Sequence, residues 1–236
     1  MKKIFLFVAI LLSATIIKAQ KVNDPNAEVR QAKNFHGINL SSAFDVYLSQ
    51  SNEEAVAVSA STAKDREMIK VEVKDGILYI GLEKKGWKWN TGNKKLKAYI
   101  SFKNIDQLTV SGACDVYVTG ELKADALKIN QSGASDFKGG KLSVNKLTID
   151  LSGASDMKVT GSARQVSIEA SGASSFKGYD LTTDICNVNA SGASDIKITV
   201  NKELSAQASG ASDVHYKGSG VIKDIRSSGS SSVSKG

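Results

Sequence analysis

The sequence has little of what metal sites, disulfide scaffolds and catalytic centres are built from. Its 236 residues include one proline, two cysteines, two histidines and two tryptophans. His36 and His215 show no metal-ligand spacing. No Gly-x-Ser-x-Gly, His-Glu-x-x-His or phosphate-loop motif is present either. These absences argue against a zinc site and against the commoner hydrolase and nucleotide-binding classes.

Long apolar runs are equally scarce, and the one that exists lies at the start of the chain. Lys2 and Lys3 precede an apolar run from Ile4 to Ile17, and Ala19 closes a small-residue cleavage site. This pattern predicts a signal peptide over residues 1–19 rather than a spanning helix. We expect an exported protein in the periplasm, on the outer-membrane surface or secreted, with no integral membrane segment after signal removal.

The chain also lacks a strong excess of either charge. Removal of residues 1–19 takes away three lysines and no acids, which leaves 28 basic against 24 acidic residues and a net charge of about +4. Nucleic-acid binding usually needs a clustered basic stripe with aromatic residues. The charge therefore predicts no nucleic-acid partner.

A five-residue motif, repeated seven times, is the main feature of the sequence. Its leading serines lie at 111, 132, 152, 171, 191, 209 and 228, and most copies read Ser-Gly-Ala-Ser-Asp. The steps between copies range from 18 to 21 residues. A period near 20 held over six steps is typical of a solenoid.

Each repeat predicts a strand, a bend, a second strand and a turn. Leu147, Ile149 and Leu151 alternate with polar residues before the motif, and Met157 and Val159 alternate after it. Stacking such coils about 4.8 Å apart pairs their backbones and builds a continuous interior. We therefore predict an all-β fold, a right-handed single-stranded β-helix of about 20 residues per coil.

Equivalent residues of successive coils should form columns along this β-helix. Three apolar columns are expected to face inward, and the alanines of the motif are expected to form a tight inner corner. The inward columns are Leu127, Leu147, Val166, Cys186 and Leu204; Ile129, Ile149, Ile168, Val188 and Ala206; and Val116, Phe137, Met157, Phe176, Ile196 and Val214.

The region before the regular repeats predicts a leader arm and a cap. Residues 20–33 form the arm, and residues 34–236 form one β-helix domain with an irregular cap over 34–105 and regular coils over 106–236. Within the cap, residues 39–48 resemble residues 110–118 and form a degenerate first copy, with Ser42 in place of the glycine. An Asp75-Gly76 pair predicts a hairpin turn. The serine-rich coil from Val221 onward is expected to be a polar terminal cap.

The two cysteines are expected to remain unpaired. Cys114 stands within the motif and Cys186 replaces a core leucine, so they lie three to four coils apart. That separation is about 15–19 Å by the stacking distance, whereas a disulfide needs Cα atoms within about 7 Å.

An acidic column is the most suggestive chemical feature. The motif aspartates recur at one place in the coil, with lysines two residues later. We expect the lysines to neutralise the aspartates. A calcium ladder is the weaker alternative, because Ca²⁺ prefers six or more oxygen ligands and the lysines compete. The aspartates concerned are Asp45, Asp115, Asp136, Asp156, Asp195 and Asp213.

A basic loop with two tryptophans is the weak candidate for ligand binding. Trp87 and Trp89 flank Lys88 between residues 84 and 97. Exposed aromatic and basic residues can stack on sugar rings or contact a protein. Packing within the cap is the alternative explanation. Nothing in the sequence indicates a cofactor.

These residues together resemble the putative autotransporter adhesin, head GIN domain family. The resemblance rests on Gly37-Ile38-Asn39, on residues 73–78 and on the motif repeats, and it covers residues 34–220. It implies a right-handed β-helix similar to pectin lyases without their catalytic residues, a role in adhesion, and an exported protein typical of Bacteroidetes. The family supplies no binding residues.

The sequence thus predicts a non-catalytic cell-envelope protein that contacts a surface glycan or protein. A structural envelope protein that self-assembles through its β-helix is the alternative. A polysaccharide-acting enzyme is a second alternative, because other right-handed β-helices carry aspartate clusters that cleave polysaccharides. The sequence leaves the oligomeric state open.

Overall fold

The strands of successive repeats lie side by side and in parallel. The computed structural model describes residues 23–83 and 95–236. The chain forms a β-solenoid of about six turns, with about 20 residues per turn. The predicted all-β, β-helical fold class is therefore confirmed.

Ten strands build the regular coils, and each pairs in parallel with the equivalent strand of a neighbouring coil. The predicted second break after the motif coincides with a shift in strand register, for example between Lys138 and Lys141, where Gly139 and Gly140 lie. The strands are β8 (Gln107–Val110), β9 (Asp115–Thr119), β10 (Glu121–Gln131), β11 (Asp136–Leu151), β12 (Asp156–Ala170), β13 (Ser175–Ala190), β14 (Asp195–Ala208), β15 (Asp213–Lys217), β16 (Val221–Ser227) and β17 (Ser232–Lys235).

Within residues 23–83 and 95–106, seven further strands and one short helix precede these coils. The predicted hairpin joins β5 (Ile69–Lys74) to β6 (Ile77–Leu82), and Asp75 and Gly76 at its turn have φ angles of 51° and 74°. Thr62 caps the helix by accepting a hydrogen bond from the Asp65 backbone N–H. The elements are β1 (Glu28–Arg30), β2 (Gly37–Leu40), β3 (Asp45–Gln50), β4 (Ala55–Ser59), α1 (Ala63–Glu67), β5 (Ile69–Lys74), β6 (Ile77–Leu82) and β7 (Lys97–Phe102).

The first repeat in the sequence is not the first coil of the stack. Strand β2 lies between β6 and β8, and β3 lies between β7 and β9, all in parallel. Ser42 adopts a positive φ of 86°, and its carbonyl oxygen accepts a 2.7 Å hydrogen bond from the Ala113 N–H. Residues 37–50 therefore form a coil in register with the later copies, as their sequence likeness predicts.

Antiparallel strands cover the outer side of the coil formed by β6 and β7. Strand β5 pairs with β6, β4 pairs with β7, and β1 pairs with β4. The outermost strand β1 has only three residues, including Glu28 and Arg30, and β5 exposes Lys70, Glu72 and Lys74. Short, charged edges discourage pairing with another chain.

The three predicted inward columns are in register and buried throughout. Cys114 and Cys186 are both buried and free, and they lie in separate coils. Burial raises the pKa of the Cys186 thiol to about 12.

The alanines of the motif do not form the inner corner, so that prediction was wrong. Ala113, Ala134 and their equivalents are exposed, and the fourth motif residue points inward instead. The hydroxyl of each inner serine donates to the carbonyl of the serine three residues earlier, which satisfies a polar group at the bend. The inner residues of the motif copies are Cys114, Ser135, Ser155, Ser174, Ser194 and Ser212.

Candidate functional site: a face of aligned side chains

The strands after the bend carry two aligned columns of outward-facing side chains, which we call the ladder face. Successive side chains of a strand point to opposite sides. The residues one and three places after the inward-pointing fourth residue of the motif therefore share this face. One column is Asp45, Asp115, Asp136, Asp156, Ser175, Asp195, Asp213 and Ser232. The other is Tyr99, Tyr47, Tyr117, Lys138, Lys158, Lys177, Lys197, His215 and Ser234.

Lysines compensate part of the aspartate column: Lys138, Lys177 and Lys197 pair with aspartates as predicted, whereas Lys158 makes no ion pair with a described residue. The Lys138 ammonium lies 2.8 Å from Asp136 and 3.4 Å from Asp115, so it bridges two coils. The Lys197 ammonium lies 2.6 Å from Asp195. The hydrogen bond to Asp136, with Asp115 nearby, raises the pKa of Lys138. The ammonium therefore stays charged, and it separates carboxylates that would otherwise repel each other.

The aspartates do not gather into a metal site. Within residues 23–83 and 95–236, no group of three or more histidine, cysteine, aspartate or glutamate side chains is placed to hold a metal ion. A coil supplies at most one carboxylate to the column, and lysines pair with Asp115, Asp136, Asp156 and Asp195. Asp213 instead accepts a 2.5 Å hydrogen bond from the Ser232 hydroxyl. The geometry thus gives no support to the calcium alternative at Asp115, Asp136, Asp156, Asp195 and Asp213.

Three stacked tyrosines occupy the end of the ladder face that is formed by β7, β3 and β9. The ring centroids of Tyr47 and Tyr99 are 5.1 Å apart, and those of Tyr47 and Tyr117 are 5.3 Å apart. The Lys138 ammonium lies 5.7 Å from the centroid of the Tyr117 ring. All three tyrosines are half-buried, so the stack presents a row of ring edges to solvent. Such a stack restricts ring motion and makes a rigid amphipathic surface.

The leader arm fixes the outer end of this stack. The Tyr99 hydroxyl donates a 2.9 Å hydrogen bond to Asp24, and the Lys97 ammonium lies 3.7 Å from the same carboxylate. Burial and this hydrogen bond raise the pKa of Tyr99. The tyrosine stack was not predicted, although the Asp-Val-Tyr triplet at 45–47 and 115–117 was a signal for it.

The loop with Trp87, Lys88 and Trp89 lies outside the described residues, in the segment that joins β6 to β7. The interpretation of these residues as a binding loop therefore stays a prediction.

A shallow groove of about 210 Å³ lies on the other side of the bend. Carboxylate, amide and hydroxyl groups line it. One of the carboxylates, Asp150, is already paired with Lys128 at 3.0 Å. The lining side chains are Asp150, Leu151, Ser152, Glu169, Ala170, Ser171, Asn189 and Ser191.

Comparison with known proteins gives the family of this coil stack. The model of the family described as putative auto-transporter adhesin, head GIN domain, matches residues 34–220. The chain belongs to this family. No curated protein matches the chain. Within the part of the chain that the structure describes, no helix is long and apolar enough to cross a membrane.

Solved structures share the fold of this head GIN domain. A putative adhesin from Bacteroides fragilis is 22% identical with a TM-score of 0.81, and the match covers 89% of this chain and 95% of that one. A putative lipid binding protein from Parabacteroides distasonis is 21% identical with a TM-score of 0.68, and the match covers 90% and 98%. A putative adhesin from Parabacteroides merdae is 18% identical with a TM-score of 0.60, and the match covers 89% and 95%. At these identities the likeness shows the fold alone.

Proposed function

We propose that this head GIN domain is an exported, non-catalytic adhesion module that binds a surface glycan or protein through the ladder face. The observation that carries the proposal is the rigid stack of Tyr47, Tyr99 and Tyr117 beside charged columns. Tyrosine is enriched in binding surfaces because it offers apolar area and a polar group at low entropy cost.

The chemistry of the face supports recognition rather than turnover. Lys138, Lys177 and Lys197 pair with aspartates of the neighbouring column, so these charges hold one another in place. A flat, ordered array of side chains instead suits an extended ligand, because each coil offers that ligand one set of contacts. The family name and the putative adhesins of the same fold support this role.

A binding experiment tests the ladder face directly. The chain without its predicted signal peptide is presented to a glycan array and to a protein array. We expect Tyr47→Ser and Tyr117→Ser each to weaken binding at least about ten-fold, the effect of losing a hot-spot contact of about 1.4 kcal/mol. Tyr79→Ser is the matched control, because Tyr79 is 37% exposed and lies before the bend.

The tryptophan loop is tested in the same assay. If Trp87→Ala with Trp89→Ala removes binding while the tyrosine variants do not, the loop rather than the ladder face holds the ligand. Binding equal to that of the wild-type chain in all of these variants would rule out both the ladder face and the tryptophan loop as the binding site.

Export to the cell surface is a separate part of the proposal. Protease treatment of intact cells, followed by detection with an antibody to this chain, measures it. Digestion without lysis is expected for an adhesion module. Protection until the outer membrane is opened would place the protein in the periplasm and favour an envelope role instead.

A further inference from the structure

The last coil of the solenoid leaves core-type side chains in contact with solvent. Ile222 lies in register with the buried Leu204, and Ile225 lies in register with the buried Ala206. Both therefore continue the inward columns of the stack. Yet Ile222 is 45% exposed and Ile225 is 37% exposed, and the neighbouring Val221 is 65% exposed. The polar cap predicted for this coil is therefore wrong for β16.

A bulge in β16 brings the two isoleucines to the same side. They are three residues apart and would point to opposite faces of a regular strand. The register shifts between Leu204 and Ser205, which leaves Lys223 as the extra residue of β16. The result is an apolar pair that faces inward, with Lys223 and Asp224 between them.

The two ends of the solenoid differ in whether other strands cover their edges. Antiparallel strands and charged residues cover the β6–β7 end. In the described part of the chain, β16 pairs only with β14 and β17 only with β15, so their outer edges have no strand partner. An open edge beside exposed apolar side chains favours pairing with another chain.

We infer that the β16 edge is a dimer interface that takes β16 of a second copy of this chain. A two-fold axis perpendicular to the sheet places the two β16 strands antiparallel. In one register Ile222 faces Ile225 of the second copy, and Lys223 faces Asp224 of the second copy. The four isoleucines then extend the hydrophobic core across the axis, and each outward lysine meets an aspartate.

The strand's own sequence argues for a copy of itself as the occupant. The order Ile-Lys-Asp-Ile over residues 222–225 is complementary to its own reverse, with an apolar residue at each end and opposite charges in the middle. Within one copy, Lys223 lies 3.4 Å from Glu203 and Asp224 lies 3.0 Å from Arg226. These are exposed pairs of small energy that can rearrange. Because the other end is covered, the assembly closes as a dimer rather than a fibre.

Sedimentation of the chain without its signal peptide, over a series of concentrations, tests the inference. We expect the mass to rise to twice that of the monomer. Ile222→Lys should weaken association at least about ten-fold. Val29→Lys is the control, because Val29 is 71% exposed at the opposite end and should have no effect.

Charge reversal gives a sharper test of the register. Lys223→Asp alone and Asp224→Lys alone should each be monomeric, since like charges meet at the axis. A mixture of the two variants should form a heterodimer, because every aspartate then faces a lysine. Failure of the mixture to associate, a wild-type chain that stays monomeric, or masses above the dimer would each overturn the inference.

Discussion

The hydroxyl of Ser155 donates a 2.7 Å hydrogen bond to the carbonyl oxygen of Ser152, three residues earlier in the same bend. Ser155 is 1% exposed, so this bond satisfies a polar group where water has little access. The same bond recurs in the copies at Ser174, Ser194 and Ser212, with lengths of 2.9, 2.8 and 2.8 Å. It explains why a small hydroxyl residue stands fourth in the motif.

Removing this hydroxyl should destabilise the solenoid. Ser155→Ala leaves the Ser152 carbonyl without its donor, and we expect a loss of about 1–2 kcal/mol in the free energy of unfolding. Urea denaturation monitored by circular dichroism measures it. Ser155→Cys should lose less, because Cys114 occupies the equivalent place with its sulfur 3.5 Å from the Ser111 carbonyl oxygen. Equal stability of Ser155→Ala and wild type would contradict the role given to this bond.

The motif glycine should be more sensitive to substitution than a glycine outside the bend. Gly153 has a φ of 73°, and an added Cβ would lie 2.5 Å from the Gly133 carbonyl oxygen of the coil below. Gly120 has a similar φ of 79° but no atom within 4 Å of such a Cβ. Gly120→Ala should therefore cost about 1 kcal/mol of backbone strain alone.

We expect Gly153→Ala to lower the urea midpoint clearly more than Gly120→Ala, because the clash adds to the same strain. The two variants differ only in the space available to the methyl group. A similar shift in both would mean that φ, and not the closeness of the coils, decides the glycine at the bend.

The effect of salt on stability should differ between alanine variants of two lysines of the ladder face. Lys138 bridges Asp115 and Asp136, whereas Lys158 makes no ion pair within residues 23–83 and 95–236. Lys138→Ala should lower stability by about 0.5–1 kcal/mol at low ionic strength, since two neighbouring carboxylates lose their shared cation. The loss should shrink in about 1 M salt, where charges are screened within about 3 Å. Lys158→Ala is the control, and a salt-independent loss at Lys138 would indicate packing instead.

Much of the fold could be predicted from the sequence because every coil of a solenoid repeats the same pattern of apolar and polar residues. One column assignment, such as Leu127 to Leu147, fixes the register of the residues around it as far as the next break in the coil. The aspartate and lysine columns follow from the same spacing, and their pairing needs only elementary electrostatics. The inward columns were therefore predictable residue by residue, whereas the lysine compensation was predictable as a column but not for Lys158.

The remaining features depend on three-dimensional placement that the repeat does not specify. The alternation of inward and outward side chains is interrupted at the bend, so it does not decide whether the alanine or the serine of the motif points inward. The tyrosine stack forms because residues 37–50 insert between two later segments, which brings Tyr99 beside Tyr47. Ile222 and Ile225 lie on the same side because of a bulge that no composition rule marks.

The buried thiol of Cys186 should make stability depend on pH in the alkaline range. Burial raises its pKa from an ordinary value of 9.0 to about 12, so the folded chain keeps a proton that the unfolded chain loses. Stability must then fall as the pH rises from about 9 towards about 12, by up to about 1.4 kcal/mol per pH unit. Cys186→Val keeps an apolar side chain in the column but has no proton to lose. We expect urea midpoints at pH 8 and pH 10 to fall less in this variant than in wild type, and parallel falls would show that other groups control the alkaline loss.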